Sequence, residues 1–208
     1  MTDFILVRHG ETVWHAENRY AGRTDVPLTD HGRAQAADLA AWAATASLTA
    51  VWSSPLARAR LTAGPAADAC GLTPRIDERL YELDFGRGEG LTRGEMRERF
   101  PEQLAAFLAD PVERHLPGGE HPRQAAERAA ACLADLACEQ PDGRILVVAH
   151  STLLRLLLCH LLGIPLTDYR RVFPLLHNGA LTEIRLAHGR TALLSYNAPA
   201  LTPATALH

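Results

Sequence analysis

Two histidines in the chain each follow a short run of apolar residues. His9 comes after residues 4–7 and Arg8, and His150 comes directly after residues 145–149. Such runs predict buried strands, and open α/β sheets bind ligands at the carboxyl ends of their parallel strands. We therefore expect both imidazoles to emerge at one edge of a sheet. Histidine can act there as a nucleophile or as an acid–base group near neutral pH.

Three further residues would complete a site for phosphoryl transfer. This reaction requires a nucleophile, fixed cations around the phosphoryl oxygens and an acid that protonates the leaving oxygen. Arg8 stands beside His9, Arg58 opens a predicted helix after Ser-Ser-Pro-Leu, and Glu82 lies in a loop that contains three glycines. These side chains together with the two histidines could supply every group that the reaction needs.

The residues alone leave alternatives open for two of these assignments. Arg58 could be an ordinary surface cation like its neighbour Arg60. Asp84 or Glu89, in the same loop as Glu82, could be the acid instead.

The remaining pattern predicts one domain of class α/β over residues 1–208, with a loose tail from about residue 199. Its architecture is expected to be three-layered, with a mostly parallel sheet flanked by helices on both faces. The expected strands are 4–7, 51–52, 74–76 and 144–149, followed by a hairpin of 180–186 and 191–196. The expected helices are 33–46, one that starts near 56, then 93–99, 101–109, 122–137 and 153–162.

Composition argues against several classes of partner. The formal net charge is −3, aromatic residues make up only 6% of the chain, and no basic stripe with interleaved aromatics occurs, so a nucleic-acid partner is not expected. The four cysteines lie in predicted helices without the close spacing of zinc sites or redox dithiols. The sequence has neither a leader nor a membrane-spanning run, which predicts a cytoplasmic protein without a membrane partner. The apolar C-terminal half is a candidate homodimer interface.

Several short segments match one family in register. They are 8–12 (Arg-His-Gly-Glu-Thr), 18–22, 25–29, 32–36, 54–59, 62–63, Glu82 and 148–150. In this order they resemble the histidine phosphatase superfamily, the phosphoglycerate mutase-like family, over essentially the whole chain.

The resemblance implies a mechanism for the candidate residues. His9 would attack phosphorus as a neutral imidazole, while Arg8, Arg58 and His150 would hold the phosphoryl oxygens. Glu82 would protonate the leaving oxygen, which requires a carboxyl whose pKa is raised by burial. No metal or other cofactor is implied. The implied substrate-binding residues are Arg8, His15, Ala21, Gly22, Arg58, His150 and Ser151.

The chain departs from the family pattern at four places. His15 stands where an asparagine is common, and Ser151 begins a Ser-Thr pair where glycines are common. Gly88 stands where many relatives carry tryptophan, and His121 where a serine is common. We expect these changes to affect the choice of substrate more than the reaction.

The function expected from the resemblance is hydrolysis of a small phosphomonoester of the α-ribazole phosphate or sugar phosphate type. The alternative is a phosphoglycerate mutase-type phosphoryl transferase. The chain is shorter than a typical mutase, and Arg97 and Arg99 are not adjacent, which favours the phosphatase. A non-catalytic binder of phosphorylated ligands ranks lower, because His9, Glu82 and His150 are all present.

Overall fold

One mixed sheet organises the computed structural model, which describes residues 1–200. Its strands are β1 (Thr2–Arg8), β2 (Ala50–Ser53), β3 (Arg75–Ile76), β4 (Arg144–Ala149), β5 (Leu181–Ala187) and β6 (Arg190–Ala198). Its helices are α1 (Asp30–Ala43), α2 (Ala57–Ala69), α3 (Arg93–Arg99), α4 (Pro101–Ala109), α5 (Pro122–Glu139), α6 (Ser151–Leu162) and α7 (Tyr169–Val172). The strand order is β3-β2-β4-β1-β5-β6.

The first four strands of that order run parallel, and β5 and β6 add an antiparallel hairpin at the edge beside β1. The predicted α/β class with a mostly parallel sheet between helices is therefore confirmed. The predicted loose tail falls largely on residues 201–208, which lie outside the described part of the chain. Ala200, at the limit of that part, is half-buried against the core.

The two central strands are apolar on both faces because helices cover both faces of the sheet. Phe4 and Leu6 of β1 pack into a cluster that includes side chains of α5 and α6. Ile5 and Val7 point to the opposite face and pack with side chains of α1 and α2. All four are at most 1% exposed, and burial of each contributes roughly 1.5–3 kcal/mol. The run 4–7 is thus a double-sided core strand, as the sequence predicts.

Two helices begin earlier than the sequence predicts. α1 starts at Asp30 rather than at residue 33, because Thr29 caps it by accepting a hydrogen bond from the Gly32 amide at 2.9 Å. α6 starts at Ser151 rather than at residue 153, and its cap comes from Glu82, far away in the sequence. Local sequence patterns do not report such a long-range cap.

The loop after β1 approaches α1 so closely that Gly10 has no room for a side chain. A Cβ on Gly10 would collide with the Gly32 carbonyl, and a Cβ on Gly32 would collide with the Glu11 carbonyl. This contact fixes the loop that follows the nucleophile candidate His9.

We predict that Gly10→Ala lowers the free energy of unfolding by about 1–3 kcal/mol, because backbone must move to relieve the overlap. The control is Gly94→Ala in α3, where the added Cβ makes only ordinary contact with Thr92. Gly94→Ala should stabilise the protein by about 0.5–1 kcal/mol through the lost flexibility of the unfolded chain. Urea unfolding measures both, and equal stability of Gly10→Ala and the parent would contradict the close approach.

Candidate active site

The register between β1 and β4 brings the two candidate histidines together. Arg8 pairs with Ala149, so that His9 and His150 both follow the last paired residues of adjacent parallel strands. The His9 amide donates to the Ala149 carbonyl at 3.0 Å, and the two imidazole centroids are 5.1 Å apart. The prediction that these groups emerge at one edge of the sheet is confirmed.

The protonation of His9 follows from its backbone contact. Its Nδ1 lies 2.7 Å from the Gly10 carbonyl oxygen, which can only accept, so Nδ1 carries the proton. Nε2 therefore holds the lone pair. Burial, with the nearby cations Arg58 and Arg8, lowers the pKa of His9 well below its usual value. A neutral imidazole with a free Nε2 is the form that a nucleophile requires.

His9 lines a cleft of about 620 Å³. Of the other predicted residues, Arg8, His15, Ala21, Glu82 and Ser151 also line it. Further side chains that the sequence did not predict also line the cleft, among them Trp14, Glu17, Arg19, Tyr20, Phe85 and Arg93. Those at 14–20 could have been suspected from their closeness to the His9 motif, whereas nothing local marks Phe85 or Arg93.

Glu82 reaches from its loop to the N-terminus of α6. Its Oε1 accepts hydrogen bonds from the amides of Leu83 and Leu153, both at 2.8 Å, and Oε2 accepts one from Thr152 at 2.9 Å. Burial raises the pKa of the Glu82 carboxyl, while these three N–H donors act in the opposite direction. Oε1 already accepts twice, so a proton on this carboxyl belongs on Oε2.

The two competing carboxylates of the same loop do not line the cleft. Asp84 accepts from the Gly86 amide at 2.7 Å. Glu89 accepts from the backbone amides of Arg23 and Thr24 at 2.7 and 3.1 Å and so holds that segment. Among the three candidates, only Glu82 faces the cleft, which favours it as the acid.

Arg58 is fully buried at the start of α2, which excludes the alternative of a surface cation. Its Nη1 donates to the Thr24 carbonyl at 2.7 Å, and its Nη2 donates to the carbonyls of Gly22 at 2.7 Å and Ala21 at 3.3 Å. Burial lowers its pKa, and Glu82 opposes that shift. In this structure Arg58 therefore holds the 21–24 segment in place at the wall of the cleft and places a positive charge close to His9.

Arg8 and His15 are in direct contact. Arg8 donates through Nη1 to the Leu176 carbonyl at 2.8 Å, and its Nη2 lies 2.7 Å from Nε2 of His15. Burial lowers the pKa of Arg8 to about 10, so it stays charged at neutral pH. His15 thus orients Arg8 in addition to lining the cleft.

His150 is completely buried, and neither of its ring nitrogens has a hydrogen-bond partner among residues 1–200. Gly88 is buried away from the cleft, and a Cβ there would collide with Leu116. His121 caps α5 by accepting from the Arg123 amide at 3.1 Å. Neither of these two departures from the family pattern lines the cleft.

Within the described residues, no group of three or more His, Cys, Asp or Glu side chains is arranged to hold a metal ion. No helix in that part of the chain is long and apolar enough to cross a membrane.

The family model of the histidine phosphatase superfamily, branch 1, matches residues 4–199. The chain belongs to this superfamily. The resemblance drawn from the sequence motifs is thereby confirmed, and so is the expectation that the protein is an enzyme.

Similar proteins within the superfamily carry different names. Phosphoserine phosphatase 1 of Hydrogenobacter thermophilus is 30% identical over 95% of this chain and 92% of its own length. A Citrobacter koseri protein named probable phosphoglycerate mutase GpmB is 39% identical over 83% of this chain and 80% of its own. The crystal structure of α-ribazole phosphatase from Shigella flexneri superposes with a TM-score of 0.87 at 28% identity, covering 96% of this chain and 98% of the other.

The buried histidines predict a loss of stability in mild acid. Burial lowers the pKa of both His9 and His150 in the folded protein, so below pH about 6.5 the unfolded chain binds protons that the folded chain does not. Stability should fall with pH in that range by up to about 1.4 kcal/mol per pH unit for each histidine. Urea unfolding between pH 7.5 and 5.5 should show that the free energy of unfolding falls less steeply with pH for His150→Gln than for the parent. Parallel curves for the two proteins would contradict the buried neutral state of His150.

Proposed function

We propose that the protein is a phosphomonoesterase that transfers the phosphoryl group of a small phosphorylated metabolite to His9 and then to water. The proposed substrates are esters of the α-ribazole phosphate or sugar phosphate type. Similarity to the α-ribazole phosphatase of Shigella flexneri over nearly the whole chain supports this substrate class. The reaction is proposed to need no metal, since Arg8, Arg58 and His150 would provide the groups that hold the phosphoryl oxygens.

The observation that carries the proposal is the state of His9. The Gly10 carbonyl holds its Nδ1 proton, its Nε2 has no hydrogen-bond partner among the described residues, and its ring borders the cleft. Arg8 borders the same cleft, and the buried His150 ring lies beside His9 with two unpartnered nitrogens. A buried polar atom without a partner is costly, and a bound phosphoryl oxygen would satisfy it.

In the first step, Nε2 of His9 attacks phosphorus and the bond from phosphorus to the ester oxygen breaks. The leaving alkoxide takes the proton from Oε2 of Glu82, which leaves a carboxylate held by the amides of Leu83, Thr152 and Leu153. Two of these N–H donors belong to the first turn of α6, and all three stabilise the charge that Glu82 acquires.

In the second step, a water molecule attacks the phosphohistidine. Glu82 accepts a proton from that water, the bond between phosphorus and Nε2 breaks, and inorganic phosphate leaves. His9 returns to its neutral form, and Glu82 is protonated for the next cycle. The same carboxyl thus serves as acid and then as base, as microscopic reversibility requires.

The second candidate is a mutase-type transferase, which would return the phosphoryl group to a bound product rather than to water. The identity of 39% with the Citrobacter koseri protein named probable phosphoglycerate mutase GpmB favours retaining it. The two reactions share the phosphohistidine and differ in the acceptor. They are separated by whether phosphate is released or an isomeric ester accumulates.

We predict that the parent releases phosphate from at least one member of a panel of α-ribazole phosphate, sugar phosphates, phosphoserine and 3-phosphoglycerate, in the presence of a metal chelator. His9→Ala should lower kcat by at least about 10³-fold, because it removes the nucleophile. The control is His160→Ala, an exposed position in the last turn of α6.

His160→Ala should retain the activity of the parent. Accumulation of an isomeric ester without phosphate release would favour the mutase. Equal activity of His9→Ala and the parent, or a requirement for metal, would overturn the proposal.

A bell-shaped pH profile of kcat/KM is also predicted. On the acid side, activity should fall as His9 is protonated, and this should happen below pH about 6.5 because the pKa of His9 is lowered. On the basic side, activity should fall as Glu82 loses its proton. Glu82→Gln should lower kcat by about 10²–10⁴-fold and abolish the basic limb. The profile is measured with the best substrate of the panel, and an unchanged basic limb in Glu82→Gln would show that another group is the acid.

A further inference from the structure

A turn in the C-terminal part of the chain forms hydrogen bonds with the backbone of the proposed nucleophile His9 and its neighbour Arg8. The turn comprises residues 177–179 and lies between α7 and β5. The Asn178 side chain donates from Nδ2 to the His9 carbonyl at 2.7 Å, and the Gly179 amide donates to the Arg8 carbonyl at 2.9 Å. The carbonyl of Leu176, just before the turn, accepts from the Arg8 guanidinium at 2.8 Å. Three residues of the 176–179 segment thus hold the backbone of the Arg8-His9 pair and the side chain of Arg8.

The same amide of Asn178 also reaches His15. Its Nδ2 lies 3.3 Å from Nε2 of His15, which is also 2.7 Å from Nη2 of Arg8. Arginine has only donors, so Nε2 of His15 must accept. The proton of the neutral ring is then on Nδ1, which lies 2.9 Å from the Thr12 hydroxyl and 3.2 Å from the Thr12 carbonyl, and both of these oxygens can accept it. An imidazolium would carry a second N–H, on Nε2, directed at the donors Arg8 and Asn178, so these two contacts favour the neutral form of His15.

We propose that Asn178 is a positioning residue for the reaction: its amide fixes the His9 backbone and, through His15, the guanidinium of Arg8. This inference rests on the proposed function. Asn178 does not line the cleft, so it acts on the reaction through His9 and His15 rather than on the substrate. No local motif identifies it, because its partner His9 is 169 residues away.

The effect of losing this contact follows from the geometry of attack. In-line attack by Nε2 requires the imidazole and the bound phosphoryl group to stay aligned, and a misplacement of about 1 Å can cost about 10²-fold in rate. The Asn178 amide contacts the backbone of His9 directly and the guanidinium of Arg8 through His15. One side chain that is not in the cleft therefore controls the position of the nucleophile and the orientation of the cation beside it.

The test is Asn178→Asp, which keeps the size of the side chain and replaces its donor by an acceptor. A carboxylate there would repel the His9 carbonyl and attract the Arg8 guanidinium away from the phosphoryl site. We expect kcat to fall by about 10–100-fold, with KM changed less and the thermal midpoint close to that of the parent. Asn178→Ala removes the donor without adding charge, so it should show a smaller loss of kcat and provides a second variant should Asn178→Asp fold poorly.

The matched control is Asn197→Asp. Asn197 accepts from the His177 amide through Oδ1 at 2.8 Å, and an aspartate retains that acceptor. The same chemical change beside the same turn should therefore leave kcat within about two-fold of the parent. Equal losses of kcat in Asn178→Asp and Asn197→Asp would mean that the turn is only structurally sensitive and would overturn the proposal.

A readout that needs no substrate separates this inference from the proposed function. Histidine side-chain ¹⁵N NMR reports the protonation of each imidazole nitrogen during a pH titration. Asn178→Asp places a negative charge beside Nε2 of His15, so the pKa of His15 should rise relative to the parent, whereas in Asn197→Asp it should not. An unchanged titration of His15 in Asn178→Asp would overturn the inference whatever the activity. A parent that hydrolyses no ester would overturn the proposed function while the titration still tests the contact.

Discussion

Positive charge buried beside His9 is the constraint on which the rest of the site depends. The guanidinium groups of Arg8 and Arg58 lie in the same buried region as Glu82, the only fully buried carboxylate in residues 1–200. Burial lowers the pKa of both imidazoles, and this excess of positive charge lowers it further, so that both stay neutral. In the proposed reaction, the same excess of charge would favour a phosphate dianion when Glu82 is protonated.

The fold maintains this arrangement by tying the site to distant parts of the chain. The parallel register of β1 and β4 places His9 beside His150, and the N-terminus of α6 holds Glu82. Arg58 donates hydrogen bonds to backbone carbonyls of the 21–24 segment. Glu89 accepts hydrogen bonds from backbone amides of the same segment. Most of the polar contacts at the site are therefore between side chains and backbone, so that loops without regular structure are kept in place.

The sequence predicts the central part of this site well and its periphery poorly. His9 and His150 can be predicted because each ends an apolar strand, and strand order is the only further assumption needed. The choice of Glu82 over Asp84 and Glu89 depends on which side chain meets α6, a contact between residues 70 positions apart. Arg58 can be recognised from its motif, but its bonds to three carbonyls cannot. Phe85, Arg93 and Asn178 reach the site only through folding, so no local pattern marks them.

The most direct test of the proposed mechanism is to trap the phosphoenzyme and determine which atom carries phosphorus. Rapid acid-free quenching during turnover, followed by ³¹P NMR and peptide mapping, distinguishes the two imidazole nitrogens of a phosphohistidine. Because the Gly10 carbonyl occupies Nδ1 of His9 at 2.7 Å, we predict phosphorus on Nε2 of His9. Phosphorus on Nδ1, on another residue, or on no residue while phosphate is released at full rate would contradict it.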